Sequence, residues 1–244
     1  MLPAILIGLA ACSSEISTAL PAPTSTPTAV TIATPIPDIA NAVTAIATVS
    51  TLADVPTALD KVVIDPLGTV HMAPGVGQGR SSTALVVERT GQPLRRYDLH
   101  GNFEPEAFAV TQSLLFVLEY RPPTKPTHYR VQSLDLVTGE LRPLLSRDKQ
   151  VDGEEMAGDR KGQIRSDDGT MLYTLYEPHA APGENGHHFV HALSLADSWT
   201  HCIDLPQGHE WIDLHLAKGM LTVSAADGAV AVVDPDTMVA TLQT

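Results

Sequence analysis

Between residues 114 and 145 the chain reads Leu114-Leu115-Phe116-Val117-Leu118-Glu119-Tyr120 and, past a Pro-rich break at 121–127, Ser133-Leu134-Asp135-Leu136-Val137-Thr138-Gly139-Glu140-Leu141-Arg142-Pro143-Leu144-Leu145. Each run is short, apolar and bounded by Pro, Gly or Asp. This is the pattern of β-strands and hairpins, and no 3.6-residue periodicity competes with it. Thr138-Gly139 closes a tight turn, because Gly takes a positive φ at no steric cost. Four strands fit the region, at roughly 106–110, 114–120, 129–136 and 140–145.

The same unit recurs on both sides. Hairpin-like copies of the second run lie at 85–99, 191–205 and 232–242. Copies of the first run are Met171-Leu172-Tyr173-Thr174-Leu175-Tyr176-Glu177, preceded by the turn Ser166-Asp167-Asp168-Gly169, and Met220-Leu221-Thr222-Val223-Ser224-Ala225. Leu115, Leu172 and Leu221 are 57 and 49 residues apart. Inserted loops at 121–127 and 178–187 account for the excess over the ~40–45 residues of a four-stranded repeat. Further strands are expected at 160–165, 170–176, 188–195 and 199–205, then at 211–216, 220–225, 229–234 and 238–243. These units resemble β-propeller blades of the YVTN and WD-repeat type over residues 83–244. The resemblance implies an all-β, propeller-like array of about four four-stranded antiparallel blades. Residues 61–80 would complete the first of them. Propellers of this type usually carry more blades, so a compact four-bladed ring, a truncated product and an open half completed by another chain all remain open.

The first sixty residues are a different material. They contain no Lys, Arg, Tyr, Phe or Trp, although the chain has 15 bases and 28 acids. Residues 13–60 hold 10 Thr, 10 Ala, 6 Pro and 5 Ser, with no Gly. Such a tract has too little apolar area to offset the entropy of ordering it and is expected to be a disordered linker. As a coil of this length it would spread about 40 Å. Ahead of it, Leu9-Ala10-Ala11-Cys12 resembles the lipobox that ends a bacterial lipoprotein signal peptide, although no basic residue precedes it. The resemblance implies a signal peptide over 1–12, lipidation of Cys12, and a membrane-anchored protein on the extracytoplasmic face. A propeller-like domain would then occupy residues 61–244.

Function is narrowed mainly by exclusion. A formal charge of −13 argues against a nucleic-acid partner, because phosphate binding needs clustered bases. No nucleophile elbow, phosphate loop, dinucleotide fingerprint or His-Glu-x-x-His sequence is present. Neither a catalytic residue nor a cofactor is expected. Six of the ten histidines, His187, His188, His191, His201, His209 and His215, crowd one region. With no paired cysteines beside them, no metal site is expected. Cys202 reads as a small buried hydrophobe. Asp98-x-His100 and Asp213-x-His215 each place an acid and an imidazole on one strand face, as an ion pair or an oriented base. By analogy with propellers, the innermost strands would line a channel with Glu106, Phe108, Arg165, Asp213 and His215. The favoured function is non-enzymatic binding of a protein or small ligand. The alternatives are an extracytoplasmic propeller enzyme, lactonase-like hydrolase or quinoprotein-like dehydrogenase, and a truncated propeller without independent function.

Overall fold

The computed structural model describes residues 45–74, 79–111, 113–179 and 187–243. The described chain is all β, in four mainly antiparallel sheets. Two short strands come first, β1 (Ala45–Ile46) and β2 (Thr48–Thr51). The first sheet is then built from β3 (Asp60–Asp65), β4 (Gly68–Met72), β5 (Ser82–Glu88) and β6 (Arg95–His100). The second follows as β7 (Asn102–Phe108), β8 (Leu114–Arg121), β9 (His128–Asp135) and β10 (Glu140–Pro143). A small hairpin, β11 (Leu145–Ser146) and β12 (Val151–Asp152), leads into β13 (Asp159–Arg165), β14 (Met171–Glu177), β15 (Phe189–Ser194) and β16 (Trp199–Asp204). The last sheet is β17 (Trp211–Ala217), β18 (Met220–Ala225), β19 (Val230–Asp234) and β20 (Val239–Leu242). Each set of four is an up-and-down meander in sequence order. The hairpin adds to the third sheet through a parallel pairing of β11 with β16.

The turns follow from their residues. Gly139 has φ +78°, and Asp135 Oδ1 accepts from the amides of Val137 and Thr138. Asp234 does the same for Asp236 and Thr237. Aspartate closing its own turn is the local reason that the hairpins repeat.

Three apolar cores lie between the sheets. Val70, Met72, Leu85 and Val87 of the first sheet meet Phe108, Leu115, Val117 and Leu134 of the second. Phe116, Leu118, Tyr129 and Val131 meet Leu172, Tyr176, Phe189 and Leu193 of the third. Leu175, Val190 and Ile203 meet Trp211, Leu214, Val223 and Val233 of the fourth. The pattern of each strand matches its place in this row. Strand β8 is buried on both faces and reads as a continuous apolar run. Strand β18 is covered on one face only, so buried Leu221, Val223 and Ala225 alternate with exposed Met220 and half-buried Thr222 and Ser224. Among the described residues no core joins the fourth sheet to the first.

The first strand of each meander carries a register shift. In β3, β7, β13 and β17 it leaves Val62, Glu106, Lys161 and Ile212 without a cross-strand partner. Such bulges bend a strand and re-aim one side chain.

The N-terminal boundary needs correction. The composition predicts a disordered linker as far as residue 60, yet β1 pairs with β10 and β2 with β6, extending the second and first sheets by one edge strand each. Edge amides of two sheets give this Thr-rich stretch the partners that its composition cannot supply. The rest of the expected linker, the signal peptide and Cys12 lie outside the described residues.

Candidate functional site

The bulge in β7 sends Glu106 into the junction of the second and third sheets. Its side chain is almost fully enclosed, and burial, with a contribution from Glu104, pushes the carboxyl up to about 7, while Arg160 and Gln163 pull the other way. Gln163 Nε2 donates to Glu106 Oε1 at 3.0 Å and to Thr174 Oγ1 at 3.1 Å. Glu104 accepts from the Tyr120 hydroxyl at 2.5 Å and from Arg160 Nη2 at 3.4 Å. Arg160 stays charged: burial opposes its charge, but Glu106 and Glu104 more than offset that.

Three tyrosines and a phenylalanine stack beside these groups. The ring centroids of Tyr120 and Tyr129 are 5.8 Å apart, those of Tyr129 and Tyr176 5.4 Å, and those of Tyr176 and Phe189 5.2 Å. Burial raises the pKa of all three phenols, so they remain neutral donors and acceptors. Tyr120, Tyr129, Tyr176 and Arg160 wall a cleft of about 280 Å³, with His128 and His179 at its rim. Three buried polar atoms at this place have no hydrogen-bond partner among the described residues: Glu106 Oε2, Tyr129 OH and Tyr176 OH. The two phenols lie near each other without reaching hydrogen-bond geometry. Buried polar atoms are rarely left unpaired, and a group of three marks a place built for a polar guest.

The expected channel residues do not form one set. Glu106 is in this site. Arg165 sits nearby as a tie between sheets, donating to Asp65 of the first and to the Phe108 carbonyl of the second at 3.3 Å. The sequence places Phe108 beside Glu106, but the bulge breaks their shared facing, and Phe108 is fully buried in the first core. Asp213 and His215 lie on the exposed face of β17, where Asp213 accepts from the Leu214 amide. Among the described residues neither forms a hydrogen bond or ion pair with Glu106 or Arg165. Asp98 pairs with Arg96 at 2.7 Å rather than with His100. Sequence reading missed Glu104, Arg160 and Gln163, whose only signal was their placement on the first strands of neighbouring repeats, and Tyr120, Tyr129 and Tyr176, which lie on the second and third strands.

A second, larger cleft of about 700 Å³ lies between the third and fourth sheets. Arg147 lies 4.4 Å over the Trp199 ring at its edge. Asp168 is held firmly ionised, at about 2, by Ser166 and Thr170, so this carboxylate already has its donors. Its polar walls are more satisfied than those of the smaller cleft. The sequence matches no protein-family model, and no curated protein is significantly similar to it.

Proposed function

We propose that this chain is a membrane-anchored, extracytoplasmic lipoprotein whose propeller-like head binds a small polar ligand between its second and third blades. The lipobox-like Leu9-Ala10-Ala11-Cys12 and the Thr/Ala/Pro-rich tract after it support anchoring through Cys12. Among the described residues no helix is long and apolar enough to cross a membrane. Four four-stranded meanders, each with a bulge in its first strand, support a blade repeat. The observation that carries the binding role is the pair of unpaired buried hydroxyls, Tyr129 OH and Tyr176 OH, on residues that wall the cleft, with a third unpaired atom, Glu106 Oε2, at the same sheet junction.

The cleft suits a compact ligand with several hydrogen-bonding groups and an apolar face. The tyrosine rings offer surface, and the phenols and the Arg160 guanidinium offer polar groups. Binding is tested by thermal melting of the full chain with monosaccharides, free amino acids and alkylammonium salts as probes. A probe present at 100 times its Kd adds about 2.7 kcal/mol and raises the melting temperature. The reading expects at least one class to do so, with the shift lost in the Tyr129→Phe, Tyr176→Phe double variant. A shift that survives in that variant, or no shift with any class, overturns it. Anchoring is tested separately by palmitate labelling of wild type and Cys12→Ser, with label expected only in the former.

A further inference from the structure

In three of the four sheets the last strand of the meander is not the edge. Strand β2 lies on β6, β1 on β10 and β11 on β16. In the fourth sheet β20 has no such cover among the described residues. Gln243 donates its amide to the Val230 carbonyl at 2.8 Å. The alternation of an antiparallel ladder then turns the amides and carbonyls of Ala240 and Leu242 away from β19. Sheet edges are usually blunted by a charge, a proline or a bulge. Val239-Ala240-Thr241-Leu242 has no charge and no proline, and it pairs with β19 without a register shift. Its Val239 and Leu242 are 53% and 43% exposed. This edge has the backbone groups for one more strand and none of the features that keep a strand off.

The covered edges show what kind of segment the chain uses for this purpose. Strands β1 and β2 belong to the Thr- and Ala-rich tract, and both add antiparallel. The tract holds a near-repeat of the sequence around β1: Ala29-Val30-Thr31-Ile32-Ala33-Thr34 reads as Ala42-Val43-Thr44-Ala45-Ile46-Ala47-Thr48 with Ala45 left out. Residues 29–34 lie outside the described residues. They carry no charge, are half β-branched, and have Pro27 and Pro35 to bound them. Followed backwards, the chain moves along the row of sheets, from β2 on the first to β1 on the second. The edge of the third is held by β11, so the next open edge is β20. Ala47 alone separates β1 from β2, so one residue carries the chain between neighbouring edges. The ten residues 35–44 are available for the two places from the second sheet to the fourth. Extended, they span up to about 35 Å. We propose that residues 29–34 of the same chain add to β20 as a fifth, antiparallel strand of the fourth sheet. Main-chain hydrogen bonds to Ala240 and Leu242 would hold the segment, as in other cases of strand addition. The N-terminal tract would then clasp the first, second and fourth sheets. On the lipid-anchor reading this leaves residues 13–28 as the free tether, a coil of about 20–25 Å.

Amide exchange resolved by nuclear magnetic resonance reads this edge residue by residue. Full-length Cys12→Ser, which carries no lipid, is compared with the same protein bearing Thr31→Pro and Ile32→Pro. Adjacent prolines remove a ladder amide whichever face of the segment turns to β20. They lie outside every described strand, so the head keeps its own pairings. The Ala240 and Leu242 amides are expected to exchange at least about tenfold more slowly in the first protein than in the second. Thr241, whose amide faces β19, should stay protected in both. Equal exchange of Ala240 and Leu242 in the two proteins overturns the proposal, because the edge is then either bare or covered by something else. A slowing that grows with protein concentration also overturns it, because the occupant is then a second copy.

Discussion

Replacing Glu106 by Gln should make the protein less sensitive to rising pH. The Glu106 carboxyl is enclosed in the folded state and titrates at about 7 there, against an ordinary value of 4.5. A carboxyl whose pKa is raised by folding favours the folded state while it is protonated. Its contribution is fully present below pH 4.5 and is lost as pH rises through about 7. At about 1.4 kcal/mol per pH unit, the raised value costs the folded protein about 3 kcal/mol once the carboxyl is ionised. Gln has the shape of the protonated acid, keeps an acceptor for Gln163 Nε2, and has no charge to bury. Wild type and Glu106→Gln should therefore be close in stability at pH 4.5, with the variant ahead by about 3 kcal/mol at pH 8. Urea unfolding of both proteins across this range measures the difference. The difference is the right quantity, because His191, which burial pushes down to about 4, tilts the wild-type curve the opposite way. A gap that stays constant with pH would refute the burial argument for Glu106, and with it the account of the site's electrostatics.

Two further substitutions probe the packing. Phe108→Ala should lower stability by about 3–5 kcal/mol in the same urea assay, as for a core aromatic; a loss under about 1 kcal/mol would return Phe108 to a channel wall. Gly139→Ala should cost about 1–3 kcal/mol, because its φ is +78° and a Cβ there would sit 2.7 Å from Val49 Cγ2 and 3.0 Å from the Ala47 carbonyl. It should also loosen β1 and β2, so limited proteolysis should cut at 45–51 sooner than in wild type.

Much of the fold was legible because each middle sheet is covered on both faces and each hairpin carries its own turn chemistry. Expected strands at 114–120, 129–136 and 199–205 lie within a residue or so of Leu114–Arg121, His128–Asp135 and Trp199–Asp204. The first strands of the meanders were harder. Strand β7 begins at Asn102, four residues before the expected start, because its first half is Asn102-Phe103-Glu104-Pro105. Acids and proline there mask a strand that is held by pairing with β8. Strands β1 and β2 were illegible for a related reason. Thr48-Val49-Ser50-Thr51 has the composition of the tract before it, and only the free edge of β6 makes it a strand.

The site was less legible than the fold, and the cause is geometric. The sequence points to Glu106, but on the premise that Glu106 and Phe108 share a strand face. A single bulge voids that premise, sending the acid toward the third sheet and the ring into the core between the first two. The hydrogen-bond partner of Glu106, Gln163, is 57 residues away and sits in the next sheet. Nothing local in either segment announces the other. What does connect them is the repeat itself: a bulge also occurs in β13, next to Arg160, so the first strands of both meanders are bent and present polar side chains toward one junction. In a fold of packed meanders, then, the strand pattern locates the cores, whereas the bulged positions of the first strands decide which polar groups meet. At the second and third sheets the groups that meet leave three polar atoms unpaired. Arg165 Nε, His188 Nε2 and Asp204 Oδ1 are unpaired elsewhere among the described residues, but at this junction two of the three unpaired atoms belong to tyrosines that wall a cleft.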